Sequence, residues 1–413
     1  MNWITYIILF FLLAEYFLNQ TSTHLNLKSV SDRIPTSFKD VFDPQKYRQS
    51  QLYLRANTRF GQVVSTIDLL ILLIFWFSGG FAFIDRWTRS LGWGLLATGI
   101  VYILTLAGVK AVIDQLFGLY ATFVIEQEFG FNKTTVATWL KDRFKGLILA
   151  LVLGVPLIAG VLAFFHYSAA AAWLWCWAMV TIFMVFVQFI APTWIMPLFN
   201  RFDPLEEGEL KDAIMTYARS IGFSLANIFV MDGSRRSSKS NAFFTGFGRH
   251  RRIVLFDTLI ENHTTDELVA VLAHEMGHYQ LRHIIKMMLI SILQTGLLFY
   301  LMSLIIHTPA LFKAFYVEQP SIHAGLIFFS MLYAPIDFFI GLIVQNISRA
   351  HEYAADHFAV TTTGHRKPMI SALKKLSVHN LSNLTPHPFY VFLNYSHPPV
   401  LNRIAAIEKT GLG

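Results

Sequence analysis

The sequence predicts a mainly α-helical, polytopic membrane protein with seven transmembrane helices and a small α+β unit between the fifth and the sixth. Three observations lead there. Of 413 residues, 54% are hydrophobic and only 14% are charged, whereas soluble domains carry about 25% charged residues. Seven apolar runs approach the roughly 20 residues that a bilayer requires. One long polar stretch, 199–285, instead mixes helical periodicity with short β-branched runs.

Residues 3–18 form the first apolar run. It lacks a basic start and a small-residue cleavage site, so it reads as a retained span. Further spans fall near 66–85, 93–113, 146–166, 170–195, 286–307 and 323–345. With the N-terminus outside, only Arg86, Arg89 and Lys313 of the 33 Lys and Arg lie in outside loops, and Lys110 lies within span three. Basic residues collect on the cytoplasmic side, so this bias favours an odd number of spans and an inside C-terminus. It also accounts for the net charge of +7 without nucleic acid, for which no binding module is visible. Glu15, Asp68, Lys110, Asp114 and Asp337 sit in or at the ends of spans. Ionisable groups there usually face a bundle interior or water, and Lys110 and Asp114, four apart, can pair. The single cysteine, Cys176, lies in an apolar run. It excludes an intramolecular disulfide and a Cys-ligated zinc site, and reads as a small buried hydrophobe.

Within 199–285, residues 205–221 have helical periodicity up to Gly222. Asn227 to Asp232 and Arg252 to Asp257 read as strands, 233–240 as a loop, and Asn241 to Gly246 as an edge strand. Thr265-Asp266-Glu267 then opens a helix that carries His274-Glu275-Met276-Gly277-His278. On a helix, positions i and i+4 share a face, so His274 and His278 can point two imidazole nitrogens at one metal. Glu275 beside them is placed to take a proton from metal-bound water. Strands packed on such a helix form the minimum of a zincin-like core.

A catalytic zinc needs three protein ligands and an open position. The best third candidate is Glu352, just past span seven, with two spans separating it from the motif and returning it to the same membrane face. Asp356, one turn on, is placed to accept a hydrogen bond from a ligand imidazole. His283, nine residues after His274, is the competitor, but it falls off the ligand face and is expected to be structural. His351 and His357 are expected to face away from Glu352.

Several further segments occur in order along the chain: Phe129 to Lys133, Pro197 to Phe202, Ser240-Asn241-Ala242, Arg252 to Leu259, Ser348 to Glu352 with Asp356, and Tyr395-Ser-His-Pro-Pro399 with Arg403. With the metal motif and seven spans, this set resembles the CAAX prenyl protease type I family of membrane zinc endopeptidases. The resemblance implies a helical barrel around a water-filled chamber, with one zinc per chain at its inner end. It implies that Asn241 and Ala242 lie on the strand beside the substrate backbone, and that His397 and Arg403 bond the substrate or the developing oxyanion. Lys239 departs from the Ser-His-Ser-Asn pattern expected there.

The expected division is a five-span region, 1–198, followed by a metallopeptidase region, 199–413. The latter holds the soluble loop 199–285, spans six and seven (about 286–345) and an inside-facing tail. The expected activity is hydrolysis near the C-terminus of C-a-a-X-type peptide or protein substrates, prenylated ones included, in an endoplasmic reticulum or bacterial inner membrane with the zinc site on the cytoplasmic side. Two other readings stay open: a quality-control zinc protease without prenyl dependence, and a transporter or scaffold with structural zinc.

Overall fold

The computed structural model describes residues 2–225, 227–245 and 252–411. Among them, seven helices are long and apolar enough to cross a membrane: Trp3–Lys28, Pro44–Phe77, Gly94–Glu128, Val136–Tyr167, Ala172–Leu198, His283–Ile305 and Ile322–Thr363. Local chemistry sets their ends. Asn2 caps span one by accepting the Thr5 N–H at 3.1 Å, and Asp43 with Pro44 opens span two. Span two stops at Phe77, earlier than the predicted 66–85, because Gly79 takes φ +79° and turns the chain into a separate helix, Gly80–Ser90. The spans also outrun their predicted lengths. Span seven has 42 residues, about 63 Å at 1.5 Å per residue, against a hydrocarbon core of about 30 Å. Its far end therefore leaves the membrane and enters the α+β unit.

The bundle encloses a chamber of about 1010 Å³, with Glu15, Tyr16, Asn57, Gln62, Asp68 and Lys110 on its wall. Lys110 pairs with Asp114 and lies 3.4 Å from Asp68, so these three charges satisfy one another, while Glu15, Asp68 and Lys110 line a chamber whose wall is otherwise largely apolar. Aromatic packing closes the end opposite the α+β unit. Trp76 stacks on Phe315 at 4.8 Å, Phe315 stacks on Phe328 at 4.0 Å, and Trp76 Nε1 donates to the Ala314 carbonyl at 2.8 Å. Cys176 is fully buried in this apolar core.

The α+β unit is built on a four-stranded sheet in the order β1-β2-β4-β3. β1 (Phe202–Pro204) runs antiparallel to β2 (Asn227–Met231), which runs parallel to β4 (Arg252–Phe256). β3 (Ala242–Thr245) pairs antiparallel with β4, so it forms one edge of the sheet. Gly246, the predicted end of that strand, lies outside the described residues. The predicted helix over 205–221 appears as Glu209–Ser220. Three further helices, Arg366–His379, Pro388–Asn394 and Val400–Lys409, fold the C-terminal segment back onto span seven and the motif helix.

Candidate active site

The motif helix, Thr265–Gln280, is started by a capping box. Thr264, one residue before the expected start, accepts the Glu267 N–H at 3.4 Å, and Glu267 Oε2 accepts the Thr264 N–H at 2.9 Å. Leu268, Leu272, Ala273 and Met276 pack into one core with Ile253 and Leu255 of β4. That burial fixes the helix on the sheet and leaves the His274–His278 face turned to span seven. Gly277 allows the close approach of the two helices, since a Cβ there would lie 3.0 Å from Phe358 Cδ1.

Span seven brings Glu352 between the two imidazoles. His274 Nε2 lies 3.1 Å from His278 Nε2 and 3.5 Å from Glu352 Oε2, and His278 Nε2 lies 3.3 Å from Glu352 Oε1. Ligand atoms set about 2.0–2.1 Å from a tetrahedral zinc stand about 3.4 Å from each other. The donor set therefore fits that ion in both spacing and chemistry. His274, His278 and Glu352 are the one such group of three among the described residues.

The groups behind the donors orient them. His274 Nδ1 donates to Asp356 Oδ1 at 2.9 Å, which leaves the Nε2 lone pair facing the centre. Burial opposes charge on His274, but its bonds to Asp356 and Glu352 outweigh that and raise the imidazole above its ordinary value; the same carboxylates favour a metal cation, which would take the place of the proton on Nε2. Arg403 grips Asp356 with two bonds, Nε to Oδ2 at 2.8 Å and Nη2 to Oδ1 at 2.6 Å, and its Nη1 lies 3.4 Å from Glu352 Oε2. Glu275 lines a cavity of about 430 Å³ beside His278, with Phe243, Phe244, Met287 and Met288 as apolar walls. Burial raises its carboxyl above the usual range. His397 approaches from the solvent side: its side chain is 64% exposed and its Nε2 lies 3.4 Å from Glu352 Oε1. Arg349 Nη1 donates to the Tyr395 carbonyl at 2.6 Å and so holds the His397 loop against span seven.

Asn241 and Ala242 stand at the start of edge strand β3. Asn241 Oδ1 accepts the Ala242 N–H at 2.9 Å, and the Asn241 carbonyl accepts the Phe256 N–H at 3.1 Å. Lys239 just before them reaches Tyr53 Oη at 2.8 Å and Glu126 Oε1 at 3.1 Å, which ties the strand to spans two and three. Reasoning from the sequence missed that tie; His283 was expected to be structural, and the structure places it behind a ligand rather than among the donors. Arg282 takes the left-handed conformation at φ +58° and ends the motif helix. The turn places His283 Nδ1 3.0 Å from His278 Nδ1, and His283 stacks on His351 at 3.9 Å. The partner it supports, His278, is what the sequence did not give.

The description "CAAX prenyl protease N-terminal, five membrane helices" matches residues 23–201, and "Peptidase family M48" matches residues 204–411. The chain belongs to the CAAX prenyl protease family of M48 peptidases. CAAX prenyl protease 1 of Saccharomyces cerevisiae is 34% identical, over 96% of this chain and 94% of its own. The homolog of Homo sapiens is 30% identical, over 96% of this chain and 92% of its own. The crystal structure of S. mikatae Ste24p matches with a TM-score of 0.92 at 32% identity, covering 99% of this chain and 100% of that one. As a member of this family the chain is an integral, multi-pass membrane metalloendopeptidase acting on peptide or protein substrates. The family implies a metal, and the His-His-Glu group fits one.

Proposed function

We propose that this protein is a zinc endopeptidase that cleaves near the C-terminus of C-a-a-X-type substrates, prenylated ones included. The observation that carries this reading is the convergence of the His274 Nε2, His278 Nε2 and Glu352 carboxylate donors to 3.1–3.5 Å, with Glu275 and His397 around the open side. His274, His278 and Glu352 would hold one zinc per chain, which would supply Lewis acidity at a fixed point. Glu275 takes the proton of the attacking water on a carboxylate oxygen and passes it to the departing amine nitrogen. Its burial supports this, because it raises the carboxyl and so makes it a stronger base for the water proton. His397, the exposed donor at the rim, steadies the oxyanion. Arg403 holds Asp356, and through it His274, and adds positive charge beside Glu352. The edge of β3 that is unpaired among the described residues takes the substrate backbone as an added strand. Asn241 Nδ2, which makes no hydrogen bond among the described residues, serves as the donor at its start.

The chain then works as two regions, a five-span part, 1–198, and a catalytic part, 199–413. The basic residues favour the site and the C-terminus on the cytoplasmic side, in an endoplasmic reticulum or bacterial inner membrane. The test is cleavage of a farnesylated C-a-a-X peptide and its unprenylated twin by purified protein, with Glu275→Ala as control. We expect cleavage of the prenylated peptide, abolished in the variant while bound zinc is retained. Equal cleavage of both peptides would move the biology to general membrane proteolysis. Cleavage by the variant would sink the role of Glu275.

A further inference from the structure

Where span five ends, a third concavity of about 520 Å³ opens beside the sheet, with Lys145, Leu198, Arg201, Phe229, Arg235 and Arg252 on its wall. Its four cations come from separate elements: span four, the approach to β1, the turn after β2 and the start of β4. No local helical periodicity gathers them; the fold does. The cavity lies between spans four and five where the apolar part of each gives way to polar chain. On the two spans that flank it, Phe144, Leu147 and Trp194 are 63%, 56% and 70% exposed, as lipid-facing positions and an interfacial Trp should be.

The local charges do not cancel. Arg201 pairs with Asp203 at 2.9 Å, Arg235 lies 3.9 Å from Asp232, and Asp142 is taken by Arg236 at 2.8 and 3.1 Å. Among the described residues, no carboxylate lies within 4.0 Å of Lys145 or Arg252. Lys145 Nζ donates to the Leu198 carbonyl at 2.6 Å, and the Arg252 guanidinium lies 5.1 Å from the Phe229 ring centre. Both side chains are thus oriented, yet keep donors to give: an ammonium has three N–H groups and a guanidinium five. A phosphate oxygen accepts such donors well. Basic pockets at the ends of membrane helices hold anionic headgroups in this way.

We propose that this pocket binds the phosphate of an anionic phospholipid, with its acyl chains along spans four and five. A bound headgroup bridges Lys145 of the membrane bundle to Arg252 of β4, the strand that pairs with edge strand β3. The lipid then fixes the catalytic unit against the bilayer.

The full chain is purified and its retention of phosphatidylglycerol and phosphatidylcholine is measured by native mass spectrometry. Wild type is expected to retain phosphatidylglycerol preferentially. The double variant Lys145→Gln, Arg252→Gln is expected to lose affinity about fivefold per removed charge, hence about 25-fold in all, with phosphatidylcholine retention unchanged. The charge-preserving pair Lys145→Arg, Arg252→Lys is expected to keep the preference, which separates loss of charge from loss of fold. Equal retention of both lipids by wild type, or an unchanged preference in the Gln pair, overturns the proposal. So does displacement of the lipid by millimolar inorganic phosphate, which assigns the pocket to a free anion.

Discussion

Asp356 is engaged from two sides, by Arg403 through two bonds and by His274 Nδ1 at 2.9 Å. Its carboxylate is almost fully buried, and a buried charge that loses its partner costs about 3–5 kcal/mol. Arg403→Ala is therefore expected to lower Tm sharply and to lose zinc, read by thermal unfolding and metal analysis. If Tm and zinc hold while only turnover falls, Arg403 acts on the oxyanion instead. His283 supports His278 from behind at 3.0 Å, and removing such a support typically costs 10–100-fold in metal affinity. His283→Ala should show that loss in a competitive chelator titration, and unchanged affinity would reduce the contact to packing. The two imidazoles and Glu275 were legible because one helix carries them at fixed spacing. Glu352 and Asp356 were legible through topology. The Arg403–Asp356 grip, across 47 residues of sequence, was not, because it depends on how the C-terminal helices fold back.

The motif helix and span seven meet where Gly277 faces Phe358. An added Cβ would lie 3.0 Å from Cδ1 and 3.3 Å from both Cβ and Cγ of that ring. Phe358 Cβ is fixed to its own helix, so relief requires the two helices to move apart. Ala is better than Gly in a helix by about 1 kcal/mol, whereas overpacking costs about 1–3 kcal/mol. Gly277→Ala is accordingly expected to be neutral to destabilising by Tm and to weaken zinc binding, since separation of the helices draws Glu352 away from the histidines. A variant with raised Tm and intact zinc affinity would show that the contact yields freely. Elements with strong periodicity, such as the spans and the motif helix, could be read from residues alone. β1 could not, because three residues carry no pattern and its pairing to β2 is tertiary. The end of span two was misplaced because hydropathy continues through Phe81 and Phe83, while the backbone is turned by Gly79 at φ +79°.

At the scale of the whole molecule, seven spans oblige the two ends of span seven to lie on opposite sides of the membrane. Lys313 precedes that span and Lys367 follows it, and both are exposed. The charge bias places Lys313 outside and Lys367 on the cytoplasmic side. The chain offers a clean way to test this, since Cys176 is its single cysteine and is fully buried in the bundle. Cys176→Ala gives a background without thiols at the cost of a small core change, about 1–2 kcal/mol on the scale of core truncations. In that background, Lys313→Cys and Lys367→Cys are introduced one at a time and challenged with a membrane-impermeant maleimide in sealed vesicles of known orientation. Labelling of Lys313→Cys from the outer side and of Lys367→Cys only from the cytoplasmic side is the expected result. It would place the His-His-Glu group where a newly modified C-terminus in the cytosol can reach it. Labelling of both from one side would mean that a span does not cross, and the chamber wall would have to be redrawn. The reverse orientation would keep the barrel and the site chemistry, and direct the search for substrates to the opposite compartment.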